Sequence, residues 1–248
     1  VQTEAVTYII RFALVAAFFY LGSIVFYMKW RITPLSSPLT LRGDRGGVLY
    51  ILALLFAVFA MKSKENAFTL PFMIILIEAM FFSGGDRWRV LSRRSLYLLP
   101  FLLTLFIIPL SHFGNDGNYG EGIYSATRHH ADIARTSYFF TQIRVLITYI
   151  RLLFLPVNQN FDYDYPIYNS FFAAPVLASF VVLASIFGLG IYMYFRSAGK
   201  PQLRLISFGI FWFFVALSIE SSVFPIPMII CEYRLYLPSV GIFIVVSA

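Results

Sequence analysis

Runs of apolar residues recur along this chain at lengths set by a lipid bilayer, and this constrains the fold more than any other feature. Residues 8–28 and 171–195 each supply the roughly 20 residues a helix needs to cross a hydrocarbon core. Between and after them lie further runs at residues 48–61, 67–82, 95–110 and 205–219, and a last one begins near Gly241. The run at 48–61 is short, and the polar break KSKEN, residues 62–66, separates it from the next. Both can still cross if their helices extend into the flanking residues or the bilayer thins locally. A soluble core of 248 residues does not need 59% hydrophobic residues and 28 phenylalanines. The expected fold is therefore all-α, a polytopic transmembrane helical bundle of about six to seven spans.

Charge orients the bundle. The formal charge of +7 sits in short loops between apolar runs rather than in one basic patch, which excludes nucleic acid as a partner. Loops 29–47, 83–95 and 196–204 hold eleven of the nineteen Lys and Arg residues, against only Asp44 and Asp86 among the acids. The positive-inside rule assigns these loops to the cytoplasm. Nine of the twelve acids then fall on the outer face, where the unusual residues gather. Glu78, near the cytoplasmic end of its run, is expected to reach the interface. A lone cysteine, Cys231, excludes an internal disulfide. The chain starts at Val1 and stops at Ala248 inside an apolar run, as expected of an internal fragment.

The outer face is organised around residues 141–166, TQIRVLITYIRLLFLPVNQNFDYDYP, within a longer outer segment, 111–170. Read as a helix, Ser137, Thr141, Arg144, Thr148 and Arg151 follow one another at spacings of four, three, four and three. They form one polar stripe on an amphipathic outer-face helix, expected to face water or a lipid phosphate. Pro156 ends the helix, and Asp162 and Asp164 then alternate with Phe161, Tyr163 and Tyr165, so that in an extended segment both carboxylates point one way. Were the helix to cross the bilayer instead, loop 196–204 would lie outside, against the charge rule.

Each candidate residue supports two readings. Arg144 and Arg151 either anchor an interfacial helix at headgroup level or bind a substrate phosphate. Lys64 belongs either to a solvated turn or to the same phosphate site. Asp162 and Asp164 suit sugar hydroxyls or a divalent cation, or form an ordinary acidic loop. Glu220 and the neighbours Glu232 and Arg234 border membrane spans, where charges are costly and take partners, so structural ion pairing competes with a binding role. His129 and His130 are adjacent, a spacing unlike that of most metal pairs, and no metal site is assigned. No P-loop, GxSxG or dinucleotide fingerprint occurs.

Four blocks sharpen the reading: VQTEAVTYI at residues 1–9, SKENAFTLP at 63–71, the Arg-x6-Arg helix leading into LPVNQNFDYDYP, and ESSVFPIPMIICEYRLYLPS at 220–239. Their order resembles that of the transmembrane and tetratricopeptide-repeat-containing O-mannosyltransferases and their bacterial relatives. The last block is the most specific, because Glu232, Arg234, Leu235, Tyr236, Leu237, Pro238 and Ser239 are similar to that family's Glu-Arg-x-Leu-Tyr-Leu-Pro-Ser signature. The resemblance implies a GT-C-like membrane glycosyltransferase. Such an enzyme takes a sugar from a polyprenyl-phosphate carrier and passes it to a protein or glycan acceptor at the periplasmic or lumenal face, here of a bacterial inner membrane. It also implies a catalytic base in a first outer loop upstream of Val1 and repeats after Ala248.

On that reading residues 1–248 form part of a GT-C-like transmembrane domain. Arg234, Arg144, Arg151 and, more weakly, Lys64 hold the donor phosphate, while Asp162, Asp164, Glu4 and Glu232 order sugar or acceptor. The need for a divalent cation stays open. Other classes also stay open: a lipid-linked oligosaccharide ligase, a transporter, and a catalytically silent scaffold.

Overall fold

A computed structural model describes residues 2–33, 45–82, 96–107, 134–157, 163, 165–221 and 229–248. Every regular element among them is helical. The chain divides into two compact units, Val1–Gly114 and Asn115–Ala248.

In the first unit, α1 (Gln2–Ile32) pairs with α2 (Arg45–Ser63) through small residues. Ala53, Ala57 and Ala60 recur at helical spacing on one buried face of α2. On α1 the room left by Gly22 is filled by the ring of Phe56, which a Cβ at that position would meet at 2.5 Å. Phe18, Phe19 and Phe26 surround the same ring. Such close approach suits helices in lipid, where van der Waals packing and interhelical hydrogen bonds drive association. Ser23 supplies one, donating its hydroxyl to the Ala53 carbonyl at 2.7 Å.

The polar break at 62–66 narrows to one extended residue, Lys64, between α2 and a 3-10 turn, Glu65–Thr69. Helix α3 (Leu70–Ile77) follows, with Pro71 in its first turn where the missing N–H costs nothing. It runs into a π-helical turn, Glu78–Phe82. Here α1 extends through Arg31, which the sequence reads as the start of a loop, and Glu78 is buried within the unit. The cause is their mutual pairing: Arg31 donates to both Glu78 carboxylate oxygens, at 2.7 and 3.0 Å, and Tyr27 adds its hydroxyl at 3.1 Å. Phe82 lies under the guanidinium at 4.7 Å. Trp30, Tyr50, Tyr97 and Phe101 complete the surrounding aromatic group, the last two on α4 (Leu96–Phe106).

The second unit begins with α5 (Arg135–Phe154), the expected amphipathic helix. It ends where Pro156 forces its predecessor Leu155 out of the helical region, to φ −132 and ψ 88. An antiparallel pair, α6 (Ala174–Arg196) and α7 (Pro201–Leu217), turns at Gly199, whose φ of +76 favours glycine. Ser207 donates to the Gly190 carbonyl at 2.7 Å across the pair. After a 3-10 turn, Glu232–Leu235, comes α8 (Tyr236–Ser247). Helices α7 and α8 cross glycine to glycine: a Cβ on Gly241 would sit 2.5 Å from the Gly209 carbonyl oxygen. Trp212 Nε1 donates to the Leu237 carbonyl at 2.8 Å beside the crossing.

Among the described residues four helices are long and apolar enough to cross a membrane: Ala13–Ile32, Gly46–Ser63, Glu65–Phe82 and Ala174–Arg196. Leu96–Phe106 and Pro201–Leu217 are apolar but shorter. Across the described residues the fold is thus all-helical, with the composition of a membrane protein.

Candidate functional site

The candidate residues of the second unit converge on α5, and the convergence differs from a simple solvent-facing stripe. Ser137, Thr141 and Thr148 are buried, Arg144 is half-buried, and only Arg151 is exposed. The segment after the acidic loop lies along the stripe and covers it. Tyr168 donates its backbone N–H to Thr141 Oγ1 at 3.0 Å, and the hydroxyls of Thr148 and Tyr165 meet at 3.0 Å. The stripe is polar because it receives a second piece of chain, and its arginines emerge at the edge.

The opposite edge of α5 receives the segment before α8. Tyr138 donates to the Glu220 carbonyl at 3.3 Å, Gln142 to the Ile229 carbonyl at 2.9 Å, and the Cys231 N–H donates to the Tyr149 hydroxyl at 3.0 Å. Beneath these bonds Val145, Tyr149 and Leu152 pack on Phe213, Leu217, Ile230 and Leu235. An irregular segment is thereby fixed against a rigid helix, and its charged residues are fixed with it.

Arg234 is the most constrained of them. It is 4% exposed, and its Nε lies 3.7 Å from Glu220 Oε1, a carboxylate that is itself buried. Burial works against the charge, yet Glu220, with Tyr149, Cys231 and Tyr233, outweighs it and holds the guanidinium above its ordinary range. The Nη1 atom is buried and has no hydrogen-bond partner among the described residues. The sequence neighbour Glu232 is not the ion-pair partner. It accepts a hydrogen bond from the Tyr163 hydroxyl, which ties the acidic loop to the 3-10 turn.

The alternation in that loop holds for its tyrosines: Tyr163 and Tyr165, two residues apart, both pack on the cluster under α5. Asp162 and Asp164 lie outside the described residues, as does the Glu4 side chain. Arg144 and Arg151 both favour the phenolate of Tyr165, yet burial dominates and raises its pKa. Lys64 lies in the first unit, half-buried at the turn before Glu65–Thr69. Four contributors escape a reading of the sequence: Tyr149, Gln142, Tyr138 and Ser221. The signal for the first two is their position on α5, where a polar tip on a helix face otherwise apolar needs a partner.

An open cleft of about 360 Å³ runs between α5, α6 and α7. Phe139, Ile143, Leu146, Phe180, Leu183, Ala184, Phe187 and Phe214 line it, with Ser221 as its polar member. Among the described residues no three His, Cys, Asp or Glu side chains gather as a metal site. The arrangement offers a fixed, buried guanidinium with a spare donor and two further cations at the edge of α5, while the apolar cleft lies on another face of that helix. No protein-family model matches the chain, and neither a curated protein nor a solved structure matches it.

Proposed function

We propose that the chain is part of a GT-C-like membrane glycosyltransferase of about six to seven spans, acting at the periplasmic face of a bacterial inner membrane. It moves a sugar from a polyprenyl-phosphate carrier to a protein or glycan acceptor. The observation that carries this reading is the buried Nη1 of Arg234, a charged donor without a protein acceptor among the described residues. A buried donor left unpaired costs about 1–3 kcal/mol, more when charged, and a phosphate oxygen offsets that cost. The motif resemblance of residues 220–239 supports the same assignment.

In the reaction the acceptor hydroxyl loses its proton to a base and its oxygen attacks the anomeric carbon. The bond from that carbon to the carrier phosphate breaks, and its electron pair leaves on the phosphate. Charge grows there, and cations already in place stabilise it without reorganising. Arg234 is the fixed cation, and Arg144 and Arg151 approach from the edge. Glu232, linked through Tyr163 to the loop of Asp162 and Asp164, orders sugar or acceptor. The base is not assigned to a residue of this chain.

The test is transfer from a panel of radiolabelled polyprenyl-phosphate sugars by the protein in membranes. Arg144→Ala, at the edge of α5, is expected to lower transfer roughly 100-fold at equal protein level, the usual scale for one charge-stabilising group. Arg234→Lys, which keeps the charge but loses the fork geometry, is expected to lower it as well. Absence of transfer from every donor by folded protein, or full transfer by both variants, sinks the proposal.

A further inference from the structure

The turn between α6 and α7 is basic and free of acid. Arg196, Lys200 and Arg204 fall within nine residues, and no Asp or Glu occurs anywhere from residue 165 to residue 219. The turn is tight, with Gly199 at φ +76 and the Lys200 N–H donating to the Ser197 carbonyl at 3.0 Å. Arg196 therefore closes α6, Lys200 caps α7, and Arg204 stands one helical turn further on, all at one end of the hairpin.

Two features go beyond an excess of positive charge. Lys200 provides no side-chain cap, so the first amides of α7 keep their partial positive charge without a protein acceptor from that residue. In addition, Arg204 Nε is buried and has no hydrogen-bond partner among the described residues. The rest of the Arg204 side chain is part-exposed, so its guanidinium is open to an anionic acceptor, which a charged donor binds more strongly than a neutral one. Around the cations runs an exposed apolar collar, Tyr192, Phe195 and Leu205, and the Arg196 guanidinium lies 5.6 Å above the Tyr192 ring. Aromatic rings of this kind settle at headgroup level, with cations just beyond them.

We infer that the α6–α7 turn binds the phosphate of an anionic phospholipid, with Arg204 as the anchoring donor and Arg196 and Lys200 completing the charge. The apolar collar favours a lipid over a free anion, because it offers the acyl chains a surface directly below the phosphate. The site is separate from that around Arg234. Glu220 follows the far end of α7, and the 17 residues of that helix span roughly 25 Å.

The test is native mass spectrometry of the whole purified chain, titrated with phosphatidylglycerol and, separately, with phosphatidylcholine. Wild type is expected to hold phosphatidylglycerol at lower concentration than phosphatidylcholine. Arg196→Gln, Lys200→Gln and Arg204→Gln together are expected to weaken phosphatidylglycerol roughly 100-fold, at about fivefold per cation, and to leave phosphatidylcholine unchanged. Ala198→Asp, at an exposed position, brings a carboxylate among the cations without removing packing, and is expected to weaken phosphatidylglycerol alone. Unchanged phosphatidylglycerol binding in either folded variant overturns the inference. So does equal wild-type affinity for the two lipids, or displacement of phosphatidylglycerol by millimolar inorganic phosphate.

Discussion

Glutamine at position 220 keeps the shape of the carboxylate and removes its charge, leaving Arg234 buried without a counter-ion. Two unit charges 3.7 Å apart attract by roughly 4.5 kcal/mol at an effective dielectric constant of about 20. Desolvation of both groups offsets much of that attraction, so the net worth of the intact pair is smaller. Breaking it from one side is a different matter, and costs about 3–5 kcal/mol because the remaining charge stays buried. For a chain of this size the expected fall in melting temperature is roughly 10 °C. Trp212, buried in the same unit, reports unfolding by its fluorescence in detergent. The double variant Glu220→Gln with Arg234→Met removes both charges and is expected to recover most of the loss, since an apolar replacement for a buried pair is often neutral or better. The reasoning is refuted if Glu220→Gln melts within about 2 °C of wild type, or if the double variant is no more stable than the weaker single one.

Two further outcomes follow from the second unit. Gly241→Val drives a side chain into the Gly209 carbonyl at 2.5 Å and into Trp212, and is expected to cost about 1–3 kcal/mol or more. Gly47→Ala, where a Cβ meets nothing within 4 Å, serves as the control and is expected not to destabilise in the same melting assay. Tyr233 has its phenol pushed up from 10.0 to about 12, chiefly by burial. A raised folded-state pKa adds stability that is complete below pH 10 and is lost as pH rises through about 12. In a 295 nm titration Tyr233→Phe is expected to remove one phenolate from the group that ionises late, to which Tyr165 also belongs.

Apolar run lengths make the helical class legible in the sequence, as well as the amphipathic helix and its end at Pro156. Run length speaks to burial and not to pairing, and the departures come from pairing. Glu78 reads as interfacial because its neighbours in sequence say nothing of Arg31, 47 residues away and on another helix. The polar stripe of α5 reads as solvent-facing because hydroxyls that meet water and hydroxyls that meet another segment have the same spacing. Arg234 and Glu232 read as partners by adjacency. On the 3-10 turn they diverge, one toward Glu220 and the other toward Tyr163. The importance of residues 220–239 is legible from motif and cost of charge, whereas the role of α5 as their support emerges only in three dimensions.

The three bonds from Tyr138, Gln142 and Tyr149 to main-chain groups of Glu220, Ile229 and Cys231 give α5 a further meaning. A chain without helix or strand carries peptide groups that must be answered when water is excluded. Here side chains of α5 answer them, so the path of the arginine-bearing segment is written into a different helix as a row of fittings. Tyr149→Phe, though it keeps the ring, leaves the amide of Cys231 with nothing to bind and loosens the mould in which Arg234 is cast.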